Sequence, residues 1–275
     1  MKNRNLPITD DHIHIDPVNG RGLEAAKDFR RSGGTHLFLV SKPSSSFGIF
    51  PRTGKDFAPV FDQTLAVAES IRGLGVTVFV VLGVHPAEIT RLAVGSTLEQ
   101  AAFTMEEGLT VAADYVCAGK AVALKSGRPH YETTPDIIEA SNRILSHAFS
   151  LAGDLSCAVQ VHAESGPCSD MLDRGRQAGL DPARIVKHYA TPDTPLTPSL
   201  ISNNPGIPAM ASSGRLFTLE SDYMDENSRP GAVTGPKSVP RVTLRMLSEG
   251  LLSEDDAHRI HKETPERVYG VDIDL

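Results

Sequence analysis

The amino-acid sequence predicts a (β/α)8 TIM barrel, an α/β fold occupying one domain over residues 1–275. Three observations predict it. Apolar, β-branched segments alternate with longer segments of helical period along the whole chain, the pattern of parallel βα units. No repeat, linker or low-complexity segment divides the 275 residues, and such a barrel typically takes about 250. Ionisable side chains recur at the C-terminal ends of the predicted strands, where barrels of this kind carry their active sites.

The first strand is "ITDDHIHID", Ile8 to Asp16, and "GLEAAKDFRRSGG" follows as a helix with a glycine stop. "THLFLVS" is the second strand. "FAPVFDQTLAVAESIRGLG" is a helix closed by Gly73 and Gly75, and "VTVFVVLGVHP" is the third strand. "STLEQAAFTMEEGLTVAADYVCAG" is helical and leads to the fourth strand, "AVALKSG". The amphipathic "TPDIIEASNRILSHAFSLAGD" precedes the fifth, "CAVQVHAES", and "DMLDRGRQAGLD" precedes the sixth, "RIVKHYA". Parallel strands are covered on both faces, which accounts for their near-continuous apolar character. The three prolines of "TPDTPLTP" leave no room for a normal helix before the seventh strand. That strand is placed at "SLISN", with "PGIPAMASSG" as a shortened crossover. Placing it at "IPAMAS" instead would leave only a few residues before the eighth, "LFTLESDY". The tail "VPRVTLRMLSEGLLSEDDAHRIHKETPERVYG" holds one helix and then another, the second capped by Ser253 with Asp256.

The bulk properties exclude several classes. No apolar run approaches the roughly 20 residues of a membrane span, and the polar start does not resemble a signal peptide. Cys117, Cys157 and Cys168 form an odd, sparse set without CxxC spacing. This points to a reducing, cytoplasmic setting and away from disulfides or a thiolate zinc site. With a net charge of -7, no Lys/Arg-rich run and no Trp, the chain lacks a basic face for holding duplex phosphates. Nucleic acid therefore enters only as a substrate at one local site.

His12 and His14 end the first strand, Lys125 the fourth, His162 the fifth, His188 the sixth and Asp222 the eighth. Residues two apart in a strand share a face, so Asp10, His12 and His14 point the same way, and two such imidazoles can chelate one ion. A lone histidine at a strand end is more often a hydrogen-bonded residue than a ligand. Four histidines and an aspartate, all at strand ends, make a metal site, because buried imidazoles and a buried carboxylate need partners that a divalent cation supplies.

The segments "DDHIHID", "GVHPAEI", "SGRPHY", "VQVHAES", "IVKHYA" and "LESDYMDENSRPGAVTGPKSVPR" resemble the amidohydrolase superfamily of metal-dependent hydrolases. The closer resemblance is to its TatD-like branch, especially an archaeal TatD-related group, and it extends from residue 10 to residue 241. It implies one or two divalent ions, zinc first, with manganese, iron, nickel or magnesium as alternatives. By the resemblance, His12 and His14 hold the more buried ion, and His162 and His188 the more exposed one. Asp222 binds the buried ion and takes the proton of the attacking water. Lys125 is a departure: TatD-like proteins usually have glutamate there, whereas lysine resembles the branches in which a carboxylated lysine bridges two metals.

The resemblance implies phosphoester hydrolysis, as in TatD-like deoxyribonucleases. Lys125 gives weight to a lactone, ester or amide substrate instead. A third reading is a barrel that holds a metal or small ligand without turnover; retention of all four histidines and Asp222 argues against it.

Other residues carry paired readings. Glu164 shares a face with His162, either as the partner of an imidazole N–H or as an exposed loop acid. His85 and His130 follow strands three and four, to contact substrate or to bond within their loops. Arg128 offers a planar fork to an anion or pairs with a nearby acid. Met224 to Arg241 form a shaped loop after strand eight, from which Arg229 and Lys237 present positive charge to an anionic substrate.

Overall fold

The computed structural model describes residues 6–229 and 233–275. The polar start "MKNRN" and residues 230–232 of the loop expected over Met224–Arg241 lie outside the described residues.

The elements alternate as the apolar pattern demands. In chain order they begin β1 (Thr9–His14), α1 (Leu23–Arg31), β2 (His36–Val40), α2 (Ala58–Arg72), β3 (Thr77–Gly83), α3 (Glu88–Leu92), α4 (Leu98–Cys117) and β4 (Ala123–Gly127). Next come α5 (Pro135–Leu155), β5 (Ala158–His162), α6 (Asp170–Gln177), β6 (Ile185–Lys187), β7 (Thr197–Ile201), α7 (Ile207–Ser212) and β8 (Thr218–Glu220). The last are β9 (Tyr223–Met224), α8 (Ser238–Ser248), α9 (Glu254–His258) and α10 (Thr264–Tyr269). All residues of β1, β2 and β4 are buried, as two-sided burial of a parallel sheet requires. "SLISN" is the seventh strand, beginning slightly earlier than expected, and "IPAMAS" is α7. "LFTLESDY" is not one strand: it breaks between β8 and β9 at Asp222, whose φ of 44° is left-handed. Two expected caps are present, Gly75 with φ 76° after α2 and the Ser253–Asp256 box before α9. No helix among the described residues is long and apolar enough to cross a membrane.

The chain groups into two compact units. The first comprises Met1–Leu39, Val67–Phe79 and Pro198–Leu275; the second comprises Val40–Ala66 and Val80–Thr197. In the first, β1 pairs in parallel with β2, matching Thr9 with His36, and with β9, matching His14 with Met224. β7 pairs in parallel with β8. The segment after β8 returns to β1, with the Asp222 N–H donating to His12 O at 3.0 Å. Phe38 packs against Phe79 and Tyr269, with ring centroids 5.0 and 4.2 Å away. In the second unit β3, β4, β5 and β6 pair in sequence, all parallel. The register sets Gly83 opposite Lys125, and Gly127 opposite His162.

A π-helical turn, Arg259–Glu263, interrupts the C-terminal helix and turns His261 into the core of the first unit. His261 Nδ1 accepts from Thr9 N at 3.1 Å, and its Nε2 lies 2.8 Å from Thr243 Oγ1. Burial pushes its pKa down to about 4 from 6.5. The unfolded chain then takes up a proton at this position that the folded chain refuses. Stability contributed by neutral His261 is therefore present above pH 6.5 and lost as pH falls toward 4, by up to about 3 kcal/mol. Denaturant titration of metal-free protein at pH 7 and pH 4.5 should show this loss. His261→Gln should be less stable at pH 7 but show a smaller drop between the two.

Candidate metal and catalytic site

The first unit brings three expected residues together. His12 and His14 leave the same face at the end of β1, and their Nε2 atoms stand 3.2 Å apart. Two nitrogens that share one tetrahedral ion at about 2.0 Å stand about 3.3 Å apart, so the donor set fits a chelated cation. Asp222 Oδ1 lies 3.9 Å from His12 Nε2. Asp10, on the same strand, does not join these donors. Its Oδ1 accepts from Ser221 N at 2.9 Å and from His12 N at 3.3 Å, fixing the backbone on either side of the donors. Burial raises the Asp10 pKa to about 7, against the lowering effect of its hydrogen bonds from Ser221.

The second unit gathers four imidazoles and a lysine. His162 is the centre: its Nδ1 lies 2.7 Å from His188 Nε2, and its Nε2 lies 2.5 Å from His130 Nδ1. The His85 ring lies 4.7 Å from that of His162 between centroids. Burial, then the charges of His85, Lys125, His130 and Lys187, hold His162 well below its usual pKa. A neutral imidazole is the form that ligates a metal, so this donor chemistry also fits a cation. Lys125 is buried in the middle of β4, not at its end as expected, because Ser126 and Gly127 continue the pairing with β5.

Other expected residues are placed differently. The Arg128 fork is committed to acids: it donates to Glu164 Oε2 at 2.8 Å, to Asp170 Oδ2 at 2.8 Å and to Asn142 Oδ1 at 3.0 Å. It is an ion-pair anchor here and not an open anion fork. Glu164 accordingly binds Arg128 and is not paired with an imidazole. Arg128 holds Asp170 below the usual carboxylate range, and in Glu164 it outweighs the burial that would raise the pKa. Lys237 Nζ is 3.2 Å from Asp28 Oδ2, and Asp28 also pairs with Arg21 at 2.7 Å. That ammonium braces α1, away from the free presentation expected of it. Arg229 is exposed, its N–H donating to Glu226 O.

Two anchors escaped sequence reasoning. Asp225 is buried and accepts from Asp16 N, Arg21 N and Gly22 N at 2.9, 2.7 and 2.8 Å, and from Tyr223 Oη at 2.8 Å. It thereby ties the loop after β1 to the segment bearing Asp222. The only signal was its place three residues past Asp222, in "SDYMDEN". Lys187 is buried and donates to His188 O at 2.8 Å and Ala163 O at 3.3 Å, holding the backbone beside both His162 and His188. A lysine inside an apolar strand was its signal.

The TatD related DNase family model matches residues 9–270, and the chain belongs to that family of hydrolases. An uncharacterised protein of Methanocaldococcus jannaschii is 33% identical over a 297-residue alignment covering 99% of each chain. Among solved structures, a lactonase from Listeria monocytogenes aligns with TM-score 0.62 and 13% identity, covering 96% of this chain and 95% of its own. A phosphotriesterase homology protein from Escherichia coli aligns with TM-score 0.62 and 14% identity, over 96% and 98%. A TatD homologue from Escherichia coli aligns with TM-score 0.58 and 16% identity, over 96% and 98%. These structures share the fold.

The Arg128 arrangement separates its two readings by measurement. Arg128→Met leaves half-exposed Glu164 without its cation and Asp170 with Arg174 alone, and should cost about 2 kcal/mol in denaturant unfolding. Unchanged stability with a raised KM for an anionic substrate would return Arg128 to substrate binding.

Proposed function

We propose that this TatD-family chain is a metal-dependent phosphoester hydrolase, built as the (β/α)8 barrel expected from its sequence. The observation that carries the reading is the His12–His14–Asp222 geometry, with two Nε2 atoms at chelating separation and a carboxylate 3.9 Å from one of them. His12 and His14 would hold one divalent ion, and His162 with His188 a second. A divalent cation in such a set supplies Lewis acidity and a water whose pKa approaches neutrality. Asp222 accepts the proton of the attacking water and returns it to the leaving oxygen. Its left-handed backbone, pinned by the bond from its N–H to His12 O, keeps the carboxylate in place for both transfers. His85, whose Nδ1 also accepts from Ala87 N at 3.1 Å within its loop, and exposed Arg229 are assigned to meet substrate.

A second reading rests on Lys125. An ammonium has no lone pair with which to ligate, and beside two cations it would be repelled. Its neutral amine can add CO2 and lose a proton to give a carbamate, whose two oxygens replace those of the expected glutamate. Such a site favours lactones, esters or amides, and a lactonase is among the proteins of similar fold.

Elemental analysis of protein purified without chelator should find zinc or another divalent transition metal. His12→Ala with His14→Ala should remove about one equivalent and abolish hydrolysis while the far-ultraviolet spectrum is retained. Protein that neither contains nor responds to divalent ions would overturn the reading. A chromogenic phosphodiester assayed beside a lactone and a phosphotriester decides the bond class. ¹³C-labelled bicarbonate should mark Lys125 if the second reading holds, and Lys125→Ala should then lose activity that short carboxylic acids partly restore. Full activity with an unlabelled lysine would remove the carbamate.

A further inference from the structure

One short segment, residues 127–130, holds His162 from three directions. Gly127 pairs with His162 in the parallel register and has φ 153°. A Cβ at Gly127 would meet the His162 carbonyl oxygen at 1.8 Å, so only glycine allows the two strands this approach. The next residue donates its backbone N–H to the same carbonyl, Arg128 N to His162 O, at 2.8 Å. Two residues further on, His130 Nδ1 reaches the ring itself, 2.5 Å from His162 Nε2. The other ring nitrogen of His162, Nδ1, faces His188 Nε2 at 2.7 Å.

A neutral imidazole has one N–H and one lone pair, so the direction of the first contact decides what the second nitrogen offers. If His130 donated, His162 would carry its proton on Nδ1 and present an N–H toward His188, with no lone pair for a cation. If His130 accepts, the proton sits on Nε2 and Nδ1 is a lone pair aimed at His188. His130 is exposed, so water can meet an N–H on its far nitrogen, the arrangement that leaves its Nδ1 as acceptor. Metal-ligating histidines commonly donate their other N–H to a carboxylate or carbonyl, which fixes ring and tautomer. Glu164 was the sequence's candidate for that part, and Arg128 occupies it. We infer that His130 is a positioning residue: its Nδ1 accepts the Nε2–H of His162 and so sets the tautomer whose Nδ1 lone pair receives the second cation. The cation half of this inference rests on the metal-hydrolase reading; the tautomer half does not.

The experiment therefore has two arms. In ¹⁵N-histidine-labelled, metal-free protein, two-bond ¹H–¹⁵N spectra should show His162 as the Nε2–H tautomer. His130→Phe should disturb that signal, and His130→Asn should restore it, because the amide oxygen reaches about where Nδ1 was. In parallel, cobalt(II) titration should show the second equivalent weakened about 10- to 100-fold in His130→Phe, recovered in His130→Asn, with the first equivalent unchanged. An Nδ1–H tautomer in the wild type overturns the inference. So does a His130→Phe variant that keeps the His162 signal and binds the second equivalent as tightly, with only KM raised; that result would make His130 a substrate contact. If the wild type binds no cation, the metal-hydrolase reading falls, and the spectra still decide the tautomer half.

Discussion

The hydrogen bond from Asp222 N to His12 O, 3.0 Å long, is the constraint on which the first donor set depends. It joins the residue proposed to move protons directly to the strand that carries His12 and His14. The bond requires the chain to turn sharply after β8, and the turn puts Asp222 at φ 44°, a conformation that costs a non-glycine residue about 1–3 kcal/mol. Neighbouring interactions over-determine that turn. Ser221 N is captured by Asp10, Tyr223 N by Ser221 Oγ at 3.1 Å, and Tyr223 and Met224 resume parallel pairing with β1 as β9. Asp225 then takes three backbone N–H groups from the loop after β1. Glycine at 222 would relieve the backbone and lose the carboxylate, so strain and chemistry are fixed at one residue.

The second unit positions His162 without a left-handed angle at that histidine itself. Beside His162 the irregular backbone lies at Gly127, which has no side chain to clash, and His162 stays within the regular strand β5; beside His188 it lies at Tyr189, with φ 51°. Precision there comes from neighbours: Arg128 fixes the loop beyond His162 through Glu164 and α6 through Asp170, and Lys187 fixes the backbone around His188. Both units use buried ionic groups whose hydrogen bonds go mainly to backbone or to partner side chains, which lets them define geometry in a low-dielectric interior.

The alternation of strands and helices was legible because burial on both faces writes itself as continuous apolar runs, as in β3. The candidate donors near the strand ends were legible because histidine and aspartate interrupt those runs. Three things were not. The break between β8 and β9 depends on a backbone angle at Asp222, and aspartate has no sequence mark that separates left-handed from extended. The assignment of Arg128 to Glu164 and Asp170 depends on which loops fold beside it, 36 and 42 residues away along the chain. The part played by Asp225 is written in backbone N–H groups, which every residue but proline carries. Sequence pattern thus singled out the candidate donors, whose chemistry is rare, and missed the anchors, whose chemistry is common.

The two donor sets also differ in charge, and this difference bears on which bond is cut. In the first, the imidazoles have a carboxylate beside them, so a dication there meets a partial counter-charge. In the second, the charges that depress His162 are cationic, and Lys125 and Lys187 are both buried. The first two acids after His162, Glu164 and Asp170, are already paired with Arg128. Neutral imidazoles alone bring no charge to offset a second dication. Converting Lys125 from ammonium to carbamate changes the local charge by two units in the favourable direction, from +1 to −1, without altering any other residue. If Lys125 stays an ammonium, the second set is better suited to an anionic substrate oxygen than to a metal, and the chemistry falls to the first ion and Asp222. In the proposed reading, the protonation and covalent state of this one buried amine would decide whether the His162 group serves as a metal ligand set or as an electrophilic clamp.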